Sequence, residues 1–164
     1  EYEYIKNYVK NINNLKYLKF RYIEPISDNK INDIFYSGDI INKIESIINN
    51  KIKKSNFPIE YRIYPKGSEG MKCHKDTLLY DKPQYEMVYT IENESDSYTN
   101  YFTYSKRNKK IYTKPNSLII VKAQENEHCV SPVNEGYRSI LKLIYTQTDK
   151  YNKNYLNELH RFNY

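Results

Sequence analysis

The sequence predicts a mainly β domain, a sandwich or open barrel of short strands with helices packed on the outer face of one sheet. From Pro58 onward β-branched and aromatic residues dominate. Turn residues cut them into short runs at 65–67, 81–83, 93–97, 106–109, 115–116 and 134–136, a spacing that gives seven or eight strands. Ahead of them, Ile40, Ile41, Ile44, Ile47, Ile48 and Ile52 fall on one face of a helical pattern. Such a stripe must be buried against something flat, and a sheet is the partner at hand.

Taken in order, Ile5, Val9 and Ile12 suggest a first helix over about residues 2–13, and residues 15–23 read as extended chain. The isoleucine stripe follows Ser37-Gly38-Asp39, a helix-starting signal, and predicts a helix over 40–52. The strands come next, and a last helix is expected over about 150–162. No internal repeat or low-complexity linker interrupts the chain. Residues 1–164 are therefore read as one domain: a helical buttress over about 1–56, a β core over about 57–147 and a tail with its helix over 148–164.

A chain of 164 residues suits one domain and can bury a core without disulfides or a structural metal. Its 28% charged residues make it polar, but 20 tyrosines and many isoleucines supply core material that disordered chains lack. The net charge of +6 comes from lysines scattered among Asn and Glu, which reads as a solvated surface more than as a binding patch. Two cysteines exclude a disulfide-framework miniprotein and favour a reducing, cytoplasmic setting. The opening at Glu1 without a methionine suggests an excised domain. No run is long and apolar enough to predict a membrane-spanning helix.

The chemistry lies in Tyr64-Pro65-Lys66-Gly67-Ser68-Glu69-Gly70-Met71-Lys72-Cys73-His74-Lys75-Asp76. His74 and Asp76, two apart in an expected strand, point the same way and make two-thirds of a facial metal site. The third ligand must come from another strand, and His128, in Glu127-His128-Cys129-Val130, is the candidate. The remaining histidine, His160, lies in the C-terminal tail. Two histidines and one carboxylate leave three positions of an octahedral iron open, which suits a reaction centre. Arg138 heads the strand after a turn at 134–136, and its guanidinium fork matches a carboxylate.

With these residues in place, the stretch 58–146 resembles the Fe(II)/2-oxoglutarate-dependent dioxygenases, in particular their prolyl and lysyl hydroxylase branch. The resemblance rests on Tyr-Pro-x-x-x-x-Gly-x-x-x-His-x-Asp at 64–76, on Pro115-Asn116-Ser117-Leu118-Ile119-Ile120, on His128-Cys129-Val130-Ser131-Pro132-Val133 and on Gly136-Tyr137-Arg138. It implies a double-stranded β-helix, or jelly roll, with N-terminal buttressing helices. It also implies iron ligands His74, Asp76 and His128, a cosubstrate clamp Arg138, and Tyr64 and Tyr89 as further 2-oxoglutarate contacts. The implied cofactors are Fe(II) and 2-oxoglutarate, with ascorbate as a reductant. The implied reaction is hydroxylation of a C–H bond, in a prolyl or lysyl residue of a protein substrate, with release of succinate and carbon dioxide. Two departures stand out. Asp96-Ser97-Tyr98-Thr99 replaces the family's Gly-Gly-x-Thr turn, and Asn116 stands where glycine is usual, a position Asn tolerates because it accepts a left-handed backbone.

Two rivals share the site. An AlkB-like nucleic-acid demethylase would exploit the basic charge but is expected to carry a second arginine six residues after the clamp, where this chain has Ile144. In a noncatalytic metal-binding jelly-roll module the ligands would serve structure or have lost turnover, and the intact set of His74, Asp76, His128 and Arg138 argues against such decay. Cys73 and Cys129 flank the two histidines, so strand alternation turns them away from the metal, as buried thiols of the outer packing layer. A reducible disulfide between them is the lesser alternative. Sequence alone leaves the substrate and the oligomeric state open.

Overall fold

The computed structural model describes residues 1–103 and 108–162. The chain forms helix α1 (Tyr2–Lys10), strands β1 (Lys16–Leu18) and β2 (Arg21–Ile26), helices α2 (Asn29–Tyr36) and α3 (Gly38–Ile48), and strands β3 (Lys53–Lys54), β4 (Ile59–Tyr64), β5 (Met71–His74) and β6 (Tyr85–Asn93). Strands β7 (Thr99–Phe102), β8 (Asn108–Ile111), β9 (Ser117–Lys122), β10 (His128–Val130) and β11 (Arg138–Thr146) follow, then helix α4 (Lys153–Leu159) and a single 3-10 turn. The expected turn at 106–109 lies in part outside the described residues; Asn108 and Lys109 open β8.

Two antiparallel sheets face each other. The larger has the order β1-β2-β4-β11-β6-β9, with β3 added along β11, and the smaller the order β5-β10-β7-β8. They form a jelly roll open along its edges, the expected mainly β architecture. Strand alternation divides the larger sheet into two faces. Ile59 and Tyr61 of β4, Tyr85, Met87, Tyr89 and Ile91 of β6, and Leu141, Leu143 and Tyr145 of β11 meet Ile5, Val9, Ile31, Phe35 and Ile44 of the helices. Leu141 is fully buried, and burying such a side chain contributes about 1.5–3 kcal/mol. The intervening residues Glu60, Arg62, Tyr64, Glu86, Val88, Arg138, Ile140 and Lys142 belong to the opposite face, which looks into the roll.

The helices depart from expectation at their ends. Helix α3 starts where its Ser37 cap accepts from the Ile40 amide, but it stops at Asn49, which turns left-handed at φ 51°. Ile52 is buried beyond the helix, whereas Ile47, expected on the packed face, is 72% exposed. The packed spine runs through Ile40, Ile44 and Ile48 at four-residue steps, with Ile44 buried and the other two partly so, and Ile47 falls at its solvent edge. Helix α1 ends at Lys10, three residues short of expectation. Residues 15–23 are extended, as a tight hairpin. Helix α2 was not foreseen; Asp28 caps it by accepting from the Ile31 amide at 2.7 Å, and Ile31 and Phe35 anchor it one turn apart. Helix α4 is shorter than expected, and its Tyr155 packs against Phe57 and Tyr80.

The cysteines correct the expectation of buried thiols. Cys73 and Cys129 are joined in a disulfide between β5 and β10. Alternation does turn them away from the cavity, but the helices pack on the other sheet, so Cys73 lies exposed at an outer surface.

Candidate metal centre

Strand β5 ends on His74, and β10 begins on His128 directly opposite it in register. Gly70 brings the two strands together. Its φ is +76°, and a Cβ there would lie 2.3 Å from the Val130 carbonyl oxygen. Gly70→Ala should therefore lower stability by about 2–4 kcal/mol, combining left-handed strain with overpacking. The urea midpoint measures this, and an unchanged value would contradict the close approach.

Asp76 lies past the end of β5, where its backbone carbonyl accepts from the Gln124 amide (3.3 Å) and side chain (2.8 Å). That anchor aims the carboxylate at both imidazoles: Oδ1 is 3.6 Å from His74 Nε2 and Oδ2 is 3.8 Å from His128 Nε2. One ligand atom from each residue falls within 4.8 Å of the others. His74 Nδ1 lies 2.8 Å from the Lys72 carbonyl and His128 Nδ1 3.1 Å from the Asn126 carbonyl. A carbonyl can only accept, so each Nδ1 carries a proton, and in the neutral imidazole each Nε2 then presents a lone pair to the shared space. Burial, and next Glu86, hold the Asp76 carboxyl above the usual carboxylate range, while Lys142 and the two histidines oppose the shift. Such a buried carboxylate facing two lone pairs asks for a cation. Two imidazole nitrogens and one carboxylate oxygen on one side of a site fit a divalent transition metal with open positions.

The cavity beside the triad holds about 60 Å³ and is partly open, with Val88, Ile119, Val121 and Ile140 among its walls. On the same wall, four residues before Lys142 along β11, stands Arg138, 4% exposed, whose Nε and Nη1 have no hydrogen-bond partner. Its guanidinium lies 5.1 Å from the ring centre of Tyr64, its cross-strand neighbour on β4. Burial holds the Arg138 guanidinium below the usual arginine range, with Tyr64 opposing. Burial also works against ionisation of the Tyr64 hydroxyl, but the positive charges of Arg62, Arg21 and Arg138 outweigh it and leave the hydroxyl more acidic than an ordinary tyrosine. The Tyr64 oxygen sits 3.5 Å from Arg62 Nη1, a donor, so its own proton is free to be donated into the cavity. An unpaired buried guanidinium is costly, and a carboxylate at this end of the cavity would satisfy it.

The structure brings Asp76, His128, Tyr64 and Arg138 around one cavity, sets His74 beside Asp76 and His128 on the wall of the adjoining one, and leaves Tyr89 outside both. Tyr89 points to the helix side of β6, its ring 5.1 Å from Phe35 and its hydroxyl donating to Asn116 Oδ1 at 2.7 Å. The cavity-facing neighbour is Val88, so the second tyrosine contact is corrected. Asn116 itself takes the left-handed backbone its position needs, with φ 57°.

Sequence reasoning missed two buried ion pairs on the cavity face. Arg62 makes a forked contact with Glu60 at 2.7 and 3.1 Å. Lys142 is paired with Glu86, whose other oxygen accepts from Gln84 at 3.1 Å. Burial alone would raise the Glu86 carboxyl, but Lys142 and the Gln84 amide keep it below its ordinary range. The spacing Glu60-x-Arg62 in a strand was the available signal. Arg62, Glu86 and Lys142 also line a second, more polar cavity of about 200 Å³ on the His74 side of the triad. Ile144, 2% exposed, packs with Phe57 and Leu79, so no basic group occupies the position six residues after Arg138.

No family model matches the sequence, and no curated protein matches it. Solved structures share the fold. A 2OG-Fe(II) oxygenase family oxidoreductase from Burkholderia pseudomallei superposes with a TM-score of 0.79 at 11% identity, covering 93% of this chain and 81% of that one. A prolyl hydroxylase from Trichoplax adhaerens, in complex with a peptide fragment of the hypoxia inducible factor oxygen degradation domain, gives 0.63 at 15% identity, covering 86% and 73%. HygX from Streptomyces hygroscopicus, with nickel, 2-oxoglutarate and hygromycin B bound, gives 0.67 at 9% identity, covering 90% and 78%.

Proposed function

We propose that this chain is an Fe(II)- and 2-oxoglutarate-dependent dioxygenase that hydroxylates a prolyl or lysyl residue of a peptide or protein. The observation that carries the reading is the buried Arg138 guanidinium, whose Nε and Nη1 have no hydrogen-bond partner, on the wall of the same cavity as Asp76 and His128 of the triad. A metal at one end and a lone cation at the other call for a small dianion between them, and 2-oxoglutarate has the carboxylates to meet both. Bound iron would supply the redox chemistry that splits dioxygen between succinate and the hydroxylated carbon, with loss of carbon dioxide.

The protein's own part is positioning. His74, Asp76 and His128 hold the metal from one side, with the Nδ1 protons fixed on backbone carbonyls so that both Nε2 atoms stay aimed. Arg138 pairs with the distal carboxylate, and the Tyr64 hydroxyl donates to it. Val88, Ile119 and Ile140 keep water from the chelated end. The polar cavity next to His74 is the space left for the substrate group.

The peptide reading is supported by the 64–76 motif and by the peptide held by the Trichoplax protein. The absence of a basic group at Ile144 weighs against a nucleic-acid demethylase. The test is succinate release with Fe(II) and ascorbate over a panel of prolyl and lysyl peptides and methylated single-stranded oligonucleotides. Peptides should stimulate turnover and oligonucleotides should not. Demethylation of an oligonucleotide would replace this substrate class with the rival one.

A further inference from the structure

We propose that the Cys73–Cys129 disulfide is a positioning device for the metal ligands, so that the thiol–disulfide state of this pair sets the metal affinity of the site. The inference rests on the triad being a metal site, as proposed above. Strand β5 is four residues long and forms the edge of its sheet, where β10 is its one strand partner. Strand β10 has three residues, and its register with β5 shifts between His128 and Val130. So short and irregular an edge ladder opens easily by itself. Yet it sets the spacing of the two imidazoles, because His74 and His128 are the opposed pair, with ring centres 4.6 Å apart.

The disulfide lies across that ladder at the adjoining positions. Cys73 precedes His74, Cys129 follows His128, and both sulfurs sit on the face away from the cavity. It therefore clamps the histidine-bearing strands without occupying space a metal or substrate needs. Cys73 is exposed, so a reductant can reach it. Reduction breaks the S–S bond to two thiols, taking two electrons and two protons from an external thiol pair that is itself oxidised to a disulfide. The histidine-bearing ends of the strands then remain paired by the short ladder, with the nearest further backbone bonds between them at Gly67, Ser68 and Val133, and the triad loses the fixed spacing that a preformed site provides.

The experiment is titration of Mn(II) alone into the oxidised full chain, the phosphine-reduced and desalted chain, and the Cys73→Ser/Cys129→Ser variant, with folding followed by circular dichroism. The reduced chain and the variant should stay folded and bind Mn(II) roughly 10- to 100-fold more weakly, the range seen when groups that orient metal ligands are removed. Reoxidation should restore the affinity. By reciprocity, saturating Mn(II) should shift the disulfide fraction in a glutathione buffer toward the oxidised form by the same factor, a shift that a merely structural crosslink would not show. Equal Mn(II) affinities in folded oxidised and reduced chains, or loss of the fold on reduction, would overturn the proposal. Failure of the oxidised chain to bind Mn(II) would instead remove the triad reading, and this inference with it.

Discussion

His74→Ala, Asp76→Ala and His128→Ala should each abolish succinate formation and weaken Mn(II) binding by more than about 100-fold. Changing a group that merely orients a ligand costs roughly 10- to 100-fold, and loss of the ligand itself must exceed that. No residue is spare: among the described residues, the one cluster of histidine, cysteine and carboxylate groups that could hold a metal is this triad. The three variants should differ in folding, however. Asp76 is a buried carboxylate facing Glu86, so Asp76→Ala relieves a repulsion in the metal-free chain and should be at least as stable as wild type. A melting temperature held or raised, together with lost metal binding, separates a ligand from a structural residue. Retention of wild-type Mn(II) affinity by His128→Ala would remove it from the site.

How much of this was legible depends on which physical signal each residue leaves. The candidate triad was readable because a two-residue step in a strand keeps a face, and His74 and Asp76 reach the same space as His128 even though Asp76 lies just past the strand end. The same rule makes Tyr89 unforgiving: a slip of one residue moves a side chain to the other face, and nothing local marks Val88 as the one facing the cavity. Glu60, Arg62, Glu86 and Lys142 alternate with apolar residues, a pattern that by itself also fits the polar side of half-solvated strands. The fold instead turns that side inward, where they survive as pairs. The cysteines were assigned to the correct face, but whether that face is covered is a tertiary property, decided by which sheet the helices choose. Helix α2 left only an Asp cap and two apolar residues one turn apart, too short a pattern to separate from a loop.

Arg138→Ala should leave Mn(II) affinity nearly unchanged while weakening 2-oxoglutarate binding about 30-fold to several thousand-fold, the equivalent of about 2–5 kcal/mol for a buried charge left without its partner. The separation is geometric, since Arg138 lies outside the cluster of candidate ligand atoms, and its Nε and Nη1 have no hydrogen-bond partner. Two features set the size of the effect. At 4% exposure little water can replace the lost contact, and the carboxylate would keep only the Tyr64 hydroxyl. Arg138→Lys should recover part of the affinity but not all, because an ammonium cannot reproduce the fork. Tyr64→Phe should cost less, about 0.5–1.5 kcal/mol for one net hydrogen bond. Titration of 2-oxoglutarate against the Mn(II)-loaded proteins decides the matter. Equal affinities in wild type and Arg138→Ala would assign the carboxylate to another cation. Lys142, which lines the same cavity but is already paired with Glu86, would be the first to test, and Lys142→Met should then show the loss that Arg138→Ala did not.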